Sequence, residues 1–154
     1  MPISTPTVPP QVLPIEASWC LQGPAESRPC IELEVARTVQ EQSWGLMGRP
    51  PLAPLRGMWF PSANPQPLKF WMHRTPAPLD MIFLRAGRVI AIEASTQPCP
   101  HLPCRSYGPD EPADGVVELA AGEAARLGIR VGTPAPIVLF TRPQPARPAV
   151  PPRD

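Results

Sequence analysis

Residues 80–94 read DMIFLRAGRVIAIEA, and this stretch decides the fold class. Two largely apolar runs, Asp80 to Arg85 and Arg88 to Ala94, flank Ala86-Gly87. Glycine supplies the positive φ that a tight turn needs, so the stretch predicts a β-hairpin. Just upstream, Phe70-Trp71-Met72-His73-Arg74-Thr75 is a further strand-like run, separated from the hairpin by Pro76-Ala77-Pro78. Proline fixes φ and removes a backbone donor, so the chain bends between the two runs. Strand alternation places Phe70, Met72 and Arg74 on one face, with Trp71, His73 and Thr75 on the other.

Working outward, Ile31-Glu32-Leu33-Glu34-Val35 alternates apolar and acidic residues, the pattern of a half-buried strand. Thr38 followed by Glu41 is a capping-box signature, predicting a short helix to about Met47 that ends at Gly48. Leu46 and Met47 would then share the face of Val39. Gly57 to Phe60 reads as a short buried strand, and the prolines of residues 61–67 predict a loop. Residues 95–114 read as a long loop. Gly115 to Leu119 is strand-like, and Ala121 to Leu127 has the composition of a short helix closed by Gly128. Pro136 to Phe140 is the last strand candidate, with proline allowed at its first position. Strands outnumber helices. The expected fold is mainly β (α+β): a small single-domain β-barrel or sandwich with two short helices.

The chain has 154 residues, enough for one domain, and 27 of them are prolines. Proline clusters divide it into a proline-rich N-terminal segment (1–29), a β-rich globular domain (30–141) and a proline-rich tail (142–154). Residues 2–14 and 143–152 read as extended tails that act as spacers. A formal net charge of +1 gives no reason to expect nucleic acid or an anionic membrane as partner. No segment approaches the ~18 apolar residues of a membrane span. No secretory signal is visible, so the chain as written is expected in the cytoplasm; the alternative is export, with a signal missing from this sequence. Cys20, Cys30, Cys99 and Cys104 form two close pairs. They fit two small-loop disulfides in an oxidising compartment or free thiols in the cytosol, and both readings stay open.

Several motifs occur together in order: Gly45-Leu46-Met47, Gly57-Met58-x-Phe60, Phe70-Trp71-Met72, Thr75-x-x-Pro78-Leu79-Asp80-x-x-Phe83, Pro98-Cys99, Pro103-Cys104-x-x-Tyr107 and Glu118-Leu119-x-x-Gly122. This arrangement, over roughly residues 31–140, resembles the domain-of-unknown-function 192 (DUF192) family. The resemblance implies a small, β-rich, bacterial protein from a family with many exported members. It implies no reaction. Where that family carries Lys-Asn before the threonine, this chain has His73-Arg74. Ala120 stands where the family has asparagine, and Thr133 where it often has aspartate.

The candidate site is the aromatic run and its surroundings. Trp71 beside His73 is a platform for a ligand, and an imidazole is an acid or base near neutral pH. Asp80 would orient His73 or, structurally, cap a turn or pair with Arg49 or Arg74. Asp80 and Glu118 are the carboxylate pair to consider for hydrolysis. Cys99-Pro-His101-Leu-Pro-Cys104 places two thiols and an imidazole within six residues, and His73 would complete a four-ligand set. The spacing is not that of a zinc site, and a Cys99–Cys104 disulfide is favoured; no metal and no cofactor is assigned. Trp19, Trp44 and Trp59 are core candidates. The leading expectation is a monomeric, non-enzymatic binding module for a small molecule or peptide, with Trp71, His73, Arg74, Asp80 and Glu118 as ligand-binding candidates. The alternative is a small enzyme, with hydrolase-like acid/base chemistry at His73, Asp80 and Glu118 or thiol or metal chemistry at Cys99 and Cys104.

Overall fold

The hairpin expected at residues 80–94 forms one end of a larger sheet in the computed structural model, which describes residues 9–23 and 28–140. In chain order the elements are β1 (Ile15–Cys20), β2 (Cys30–Val35), α1 (Val39–Trp44), β3 (Arg56–Gln66), β4 (Phe70–Trp71), β5 (Leu79–Arg85), β6 (Arg88–Thr96), β7 (Ser106–Tyr107), β8 (Ala113–Ala120), α2 (Glu123–Arg126) and β9 (Ile137–Leu139). Seven strands form one sheet in the order β6-β5-β8-β3-β2-β1-β9, and β4 pairs with β7 separately. The β2–β3 pairing is parallel. The mainly β expectation with two short helices therefore holds.

The sheet curls until its edges approach. Val89 donates to the Thr133 carbonyl, while Gly132 and Ala135 donate to the Val89 and Gly87 carbonyls, all at 2.7–3.0 Å. The same segment then enters β9, which pairs with β1 at the far edge. These bonds bridge a seam without extending a ladder, and no closed barrel forms among the described residues.

Several local expectations are corrected. Residues 15–20 form β1 inside the sheet, so the globular fold begins well before residue 30. Residues 9–14 are also tied down: Gln11 Nε2 donates to the Glu41 and Gly45 carbonyls, and the Leu13 amide donates to Glu34 Oε1. The remaining tail expectations, for residues 1–8 and 141–154, lie outside the described residues. The β3 strand runs through Pro61 and Pro65 to Gln66 instead of giving way to a loop. Its pairing with β2 stops at Trp59, so the prolines fall where that side of the strand needs no donor, and a bulge between Pro61 and Gln66 absorbs the irregularity. The expected loop at 95–114 holds the end of β6, all of β7 and the start of β8.

The capping box forms as expected: Glu41 N donates to Thr38 Oγ1 at 3.0 Å, and Thr38 N to Glu41 Oε1 at 3.1 Å. The helix stops earlier than the spacing implies. Gly45 (φ +50°) turns the chain out directly after Trp44, so Val39 is exposed while Leu46 is buried, and they do not share a helical face.

Two hydrophobic clusters fill the structure. One gathers Trp19, Ile31, Leu33, Ile82, Val117 and Leu119 with the α2 residue Ala124. The other gathers Leu46, Met58, Phe60, Met72, Met81 and Phe83. Burying each of the large side chains contributes roughly 1.5–3 kcal/mol. The candidate site opens into the second cluster.

Candidate functional site

Glu118 lies on β8 with β3 on one side and β5 on the other, directly opposite Met58 and Met81. Opposed residues in a sheet share a face, so its carboxyl is flanked by thioether side chains. It is 4% exposed and makes no hydrogen bond or ion pair among the described residues. Burial without a compensating partner penalises the charged form and pushes the carboxyl up to about 8. At neutral pH Glu118 is a neutral acid.

Glu118 lines a pocket of about 290 Å³. One wall is the end of α1 and the turn after it, with Gln42, Ser43, Trp44, Gly45 and Leu46. The other is the segment from Lys69 to Thr75, and Phe60 and Phe70 close the interior. Gln42 Nε2 anchors the first wall by donating to the Ala36 and Pro61 carbonyls at 3.0 and 2.8 Å. Gly48 N, donating to the Arg74 carbonyl at 2.8 Å, joins the walls. Arg49 secures the turn from below through Glu34, at 2.7 and 2.8 Å to its two carboxylate oxygens. Phe70 packs edge-on against Phe60 and Phe83, with ring centroids 5.2 and 6.3 Å apart.

Trp71 and His73 both face this pocket, their rings 5.1 Å apart and tilted by 47°. Met72 turns into the core, as alternation requires. The alternation then breaks at Arg74, whose φ of +56° ends the run and leaves its side chain outside the pocket lining. Thr75, the next residue, is buried and lines the pocket. His73 Nδ1 is buried and has no hydrogen-bond partner among the described residues. Trp44, expected in the core, stands at the pocket instead and donates its indole N–H to the Pro9 carbonyl at 2.9 Å. Trp19 is fully buried, as expected.

Asp80 is elsewhere. It accepts from Ser95 N at 2.9 Å, Gly122 N at 3.1 Å and Ala124 N at 2.9 Å. It thereby holds the left-handed Ser95 turn and the first turn of α2, and it is absent from the pocket lining. The convergence expected for Trp71, His73 and Asp80 is therefore corrected to Trp71, His73 and Glu118. Neither Arg49 nor Arg74 pairs with Asp80: Arg49 takes Glu34, and three backbone amides satisfy the aspartate.

Disulfides join Cys20 to Cys30, across the paired β1 and β2, and Cys99 to Cys104. Cys99 sits against the site: its amide donates to the Met72 carbonyl at 3.2 Å, and it forms a parallel bridge with His73. With their sulfurs bonded to each other, Cys99 and Cys104 do not offer two thiolates, and no group of three metal-ligating side chains occurs among the described residues.

Sequence reasoning missed the α1 wall, because a helix end reaches the pocket only through the tertiary fold. The available signal was Trp44-Gly45, a large aromatic at a turn-forming glycine.

The family profile described as Uncharacterized ACR, COG1430 (DUF192) matches residues 22–137. The chain belongs to the DUF192 family. Among solved structures, this DUF192 chain is similar to a candidate transcription regulator from Sinorhizobium meliloti, at 28% identity and a TM-score of 0.69, over 80% of this chain and 92% of that one. It is also similar to a protein of unknown function from Novosphingobium aromaticivorans, at 33% identity and a TM-score of 0.69, over 85% of this chain and 93% of that one. Among curated proteins none matches. No helix among the described residues is long and apolar enough to cross a membrane.

Proposed function

We propose that this DUF192 protein is a non-enzymatic binding module that takes a small ligand into the pocket between α1 and the Lys69–Thr75 segment. One observation carries the reading: a buried carboxyl, Glu118, lines an aromatic-walled pocket and has no partner among the described residues. Buried polar groups are ordinarily hydrogen-bonded, so an unpartnered one facing a concavity marks a place where a ligand supplies the missing bond. The aromatic rings of Trp44 and Trp71 at the pocket add apolar contact area.

The enzymatic alternative is supported by less. A raised carboxyl pKa suits a general acid. A hydrolase of this kind needs a second carboxylate, and Asp80 is committed to three amides. Among the described residues the imidazole of His73 also lacks the orienting hydrogen bond at Nδ1 that acid/base use relies on. The two disulfides favour export to an oxidising compartment over the cytoplasm. We retain the monomer as the working state.

The test is a small-molecule fragment screen read by NMR. Ligands of the proposed site perturb the indole N–H signals of Trp44 and Trp71 together, and Trp71→Ala weakens them. A panel whose hits all map away from these residues, or a compound that is turned over in a Glu118-dependent way, overturns the reading.

A further inference from the structure

We infer that the ligand class of this pocket is a protonated amine, held by Glu118 in its carboxylate form and by the aromatic walls. The inference rests on the pocket reading above and deepens it.

Glu118 is 4% exposed, faces the pocket and has no partner among the described residues. From β3 it is faced by Met58 and from β5 by Met81, neither of which titrates. Among the pocket-lining residues the other titratable side chains are Lys69 and His73. Lys69 is already engaged: its ammonium donates to the Gly108 carbonyl at 2.6 Å and to Asp110 at 3.0 Å, on the solvent side. Among the described residues no cationic side chain pairs with Glu118. A neutral polar ligand would leave the carboxyl protonated and gain one ordinary hydrogen bond. An ammonium gains a charge-assisted bond in a desolvated site, which is the stronger interaction.

The walls point the same way. Trp44, Phe60, Phe70 and Trp71 all line the cavity, and aromatic faces carry negative electrostatic potential that attracts ammonium groups. An anionic ligand would meet the Glu118 carboxyl and the aromatic side chains, while the one lysine of the lining, Lys69, is already engaged by Gly108 and Asp110. A carboxyl group and four aromatic side chains lining one cavity suit a positive charge.

Binding of this kind has a proton signature. The ammonium binds the ionised carboxylate and any proton on Glu118 leaves to solvent, so close to one proton is released per cation bound well below the Glu118 pKa and none well above it. Burial holds the Glu118 carboxyl up near about 8 in the unliganded protein. Below that pH the competent ionised form is a minor fraction, and apparent affinity is reduced in proportion.

The experiment is calorimetric titration of the full chain with phenethylammonium and with phenethyl alcohol, a neutral analogue of similar shape, from pH 6 to pH 9. The expected result is ammonium binding that tightens about tenfold per pH unit at the acid end and levels above the Glu118 pKa, with the alcohol bound more weakly and flat in pH. Glu118→Gln, with its fold checked by thermal melting, should weaken the ammonium by about tenfold or more and remove its pH dependence, with a smaller effect on the alcohol. The pH series on the unaltered chain decides the matter should that variant not fold. Equal, pH-independent binding of the two compounds overturns the amine assignment and leaves the pocket reading standing. Binding of neither overturns the amine assignment, and the fragment panel then decides the pocket reading.

Discussion

Asp80 and Glu118 sit on adjacent strands, with Asp80 opposite Leu119 and Glu118 opposite Met81 in the same β5–β8 ladder. Both are almost completely buried, at 1% and 4% exposure. Asp80 is supplied with three backbone donors, two of them at the first turn of α2. Among the described residues Glu118 is supplied with none, and from between Met58 and Met81 it lines a pocket. Burial of a carboxylate costs several kcal/mol unless hydrogen bonds offset it. At Asp80 the fold itself supplies the offset, and the residue is scaffold. At Glu118 the group stays neutral instead, and the structure keeps a polar atom poised for something outside the chain.

The comparison breaks most visibly under pH. The folded carboxyl of Glu118 is raised above its unfolded value, from 4.5 to about 8. Its contribution to stability is therefore fully present below pH 4.5 and is lost as pH rises through the folded value. The loss amounts to about 1.4 kcal/mol per pH unit, or roughly 3–5 kcal/mol across that window. Glu118→Gln removes this dependence, so its stability relative to the unaltered protein should climb steadily with pH. Urea unfolding at several pH values measures it; parallel curves for the two proteins would refute it.

The isosteric change at the neighbouring carboxylate should have the opposite sign. Asp80→Asn loses the charge and turns an acceptor into a donor facing backbone amides. We expect it to cost about 2–4 kcal/mol at pH 7 and above. A variant as stable as the unaltered chain would mean that Asp80 is not holding the Ser95 and α2 turns.

The disulfides mark a smaller contrast. Replacing Cys20 and Cys30 by serine releases a 10-residue separation and should cost about 2–3 kcal/mol; the 5-residue separation of Cys99 and Cys104 should cost about 2 kcal/mol. The second pair lies against His73, so its removal should also alter ligand affinity, whereas removal of the first should not. Equal effects on binding would deny that contrast. Smallest of all, Trp71→Ala should change stability by less than about 0.5 kcal/mol, because the residue is 47% exposed. A large loss would make Trp71 a core residue.

Much of the fold was legible because its signals are local. The 80–94 hairpin announced itself by two apolar runs around Ala86-Gly87, and the Thr38–Glu41 capping box needs only four consecutive residues. What stayed hidden depends on distant partners. The β3 strand passes through Pro61 because β2 has already left it at Trp59, a fact of sheet order rather than of composition. The β1 strand was masked by the prolines around it. At the site, Trp71 and His73 were readable from alternation, and Glu118 only as the second member of a carboxylate pair with Asp80. For Asp80 the turn-capping reading holds and the orienting of His73 does not; which turns it caps was hidden because two of its donors lie 42 and 44 residues away. The unpaired state of Glu118 needed the register that sets Met58 and Met81 on either side.

The central claim is that Glu118 is a buried, unpartnered, neutral acid facing a ligand pocket. The most direct measurement is a pH titration of its carboxyl carbon by ¹³C NMR, assigned by the signal that Glu118→Gln removes. The account predicts a midpoint near about 8 in the free protein, moving down when an amine such as phenethylammonium is bound. A midpoint at the ordinary glutamate value, unmoved by the amine, would contradict it.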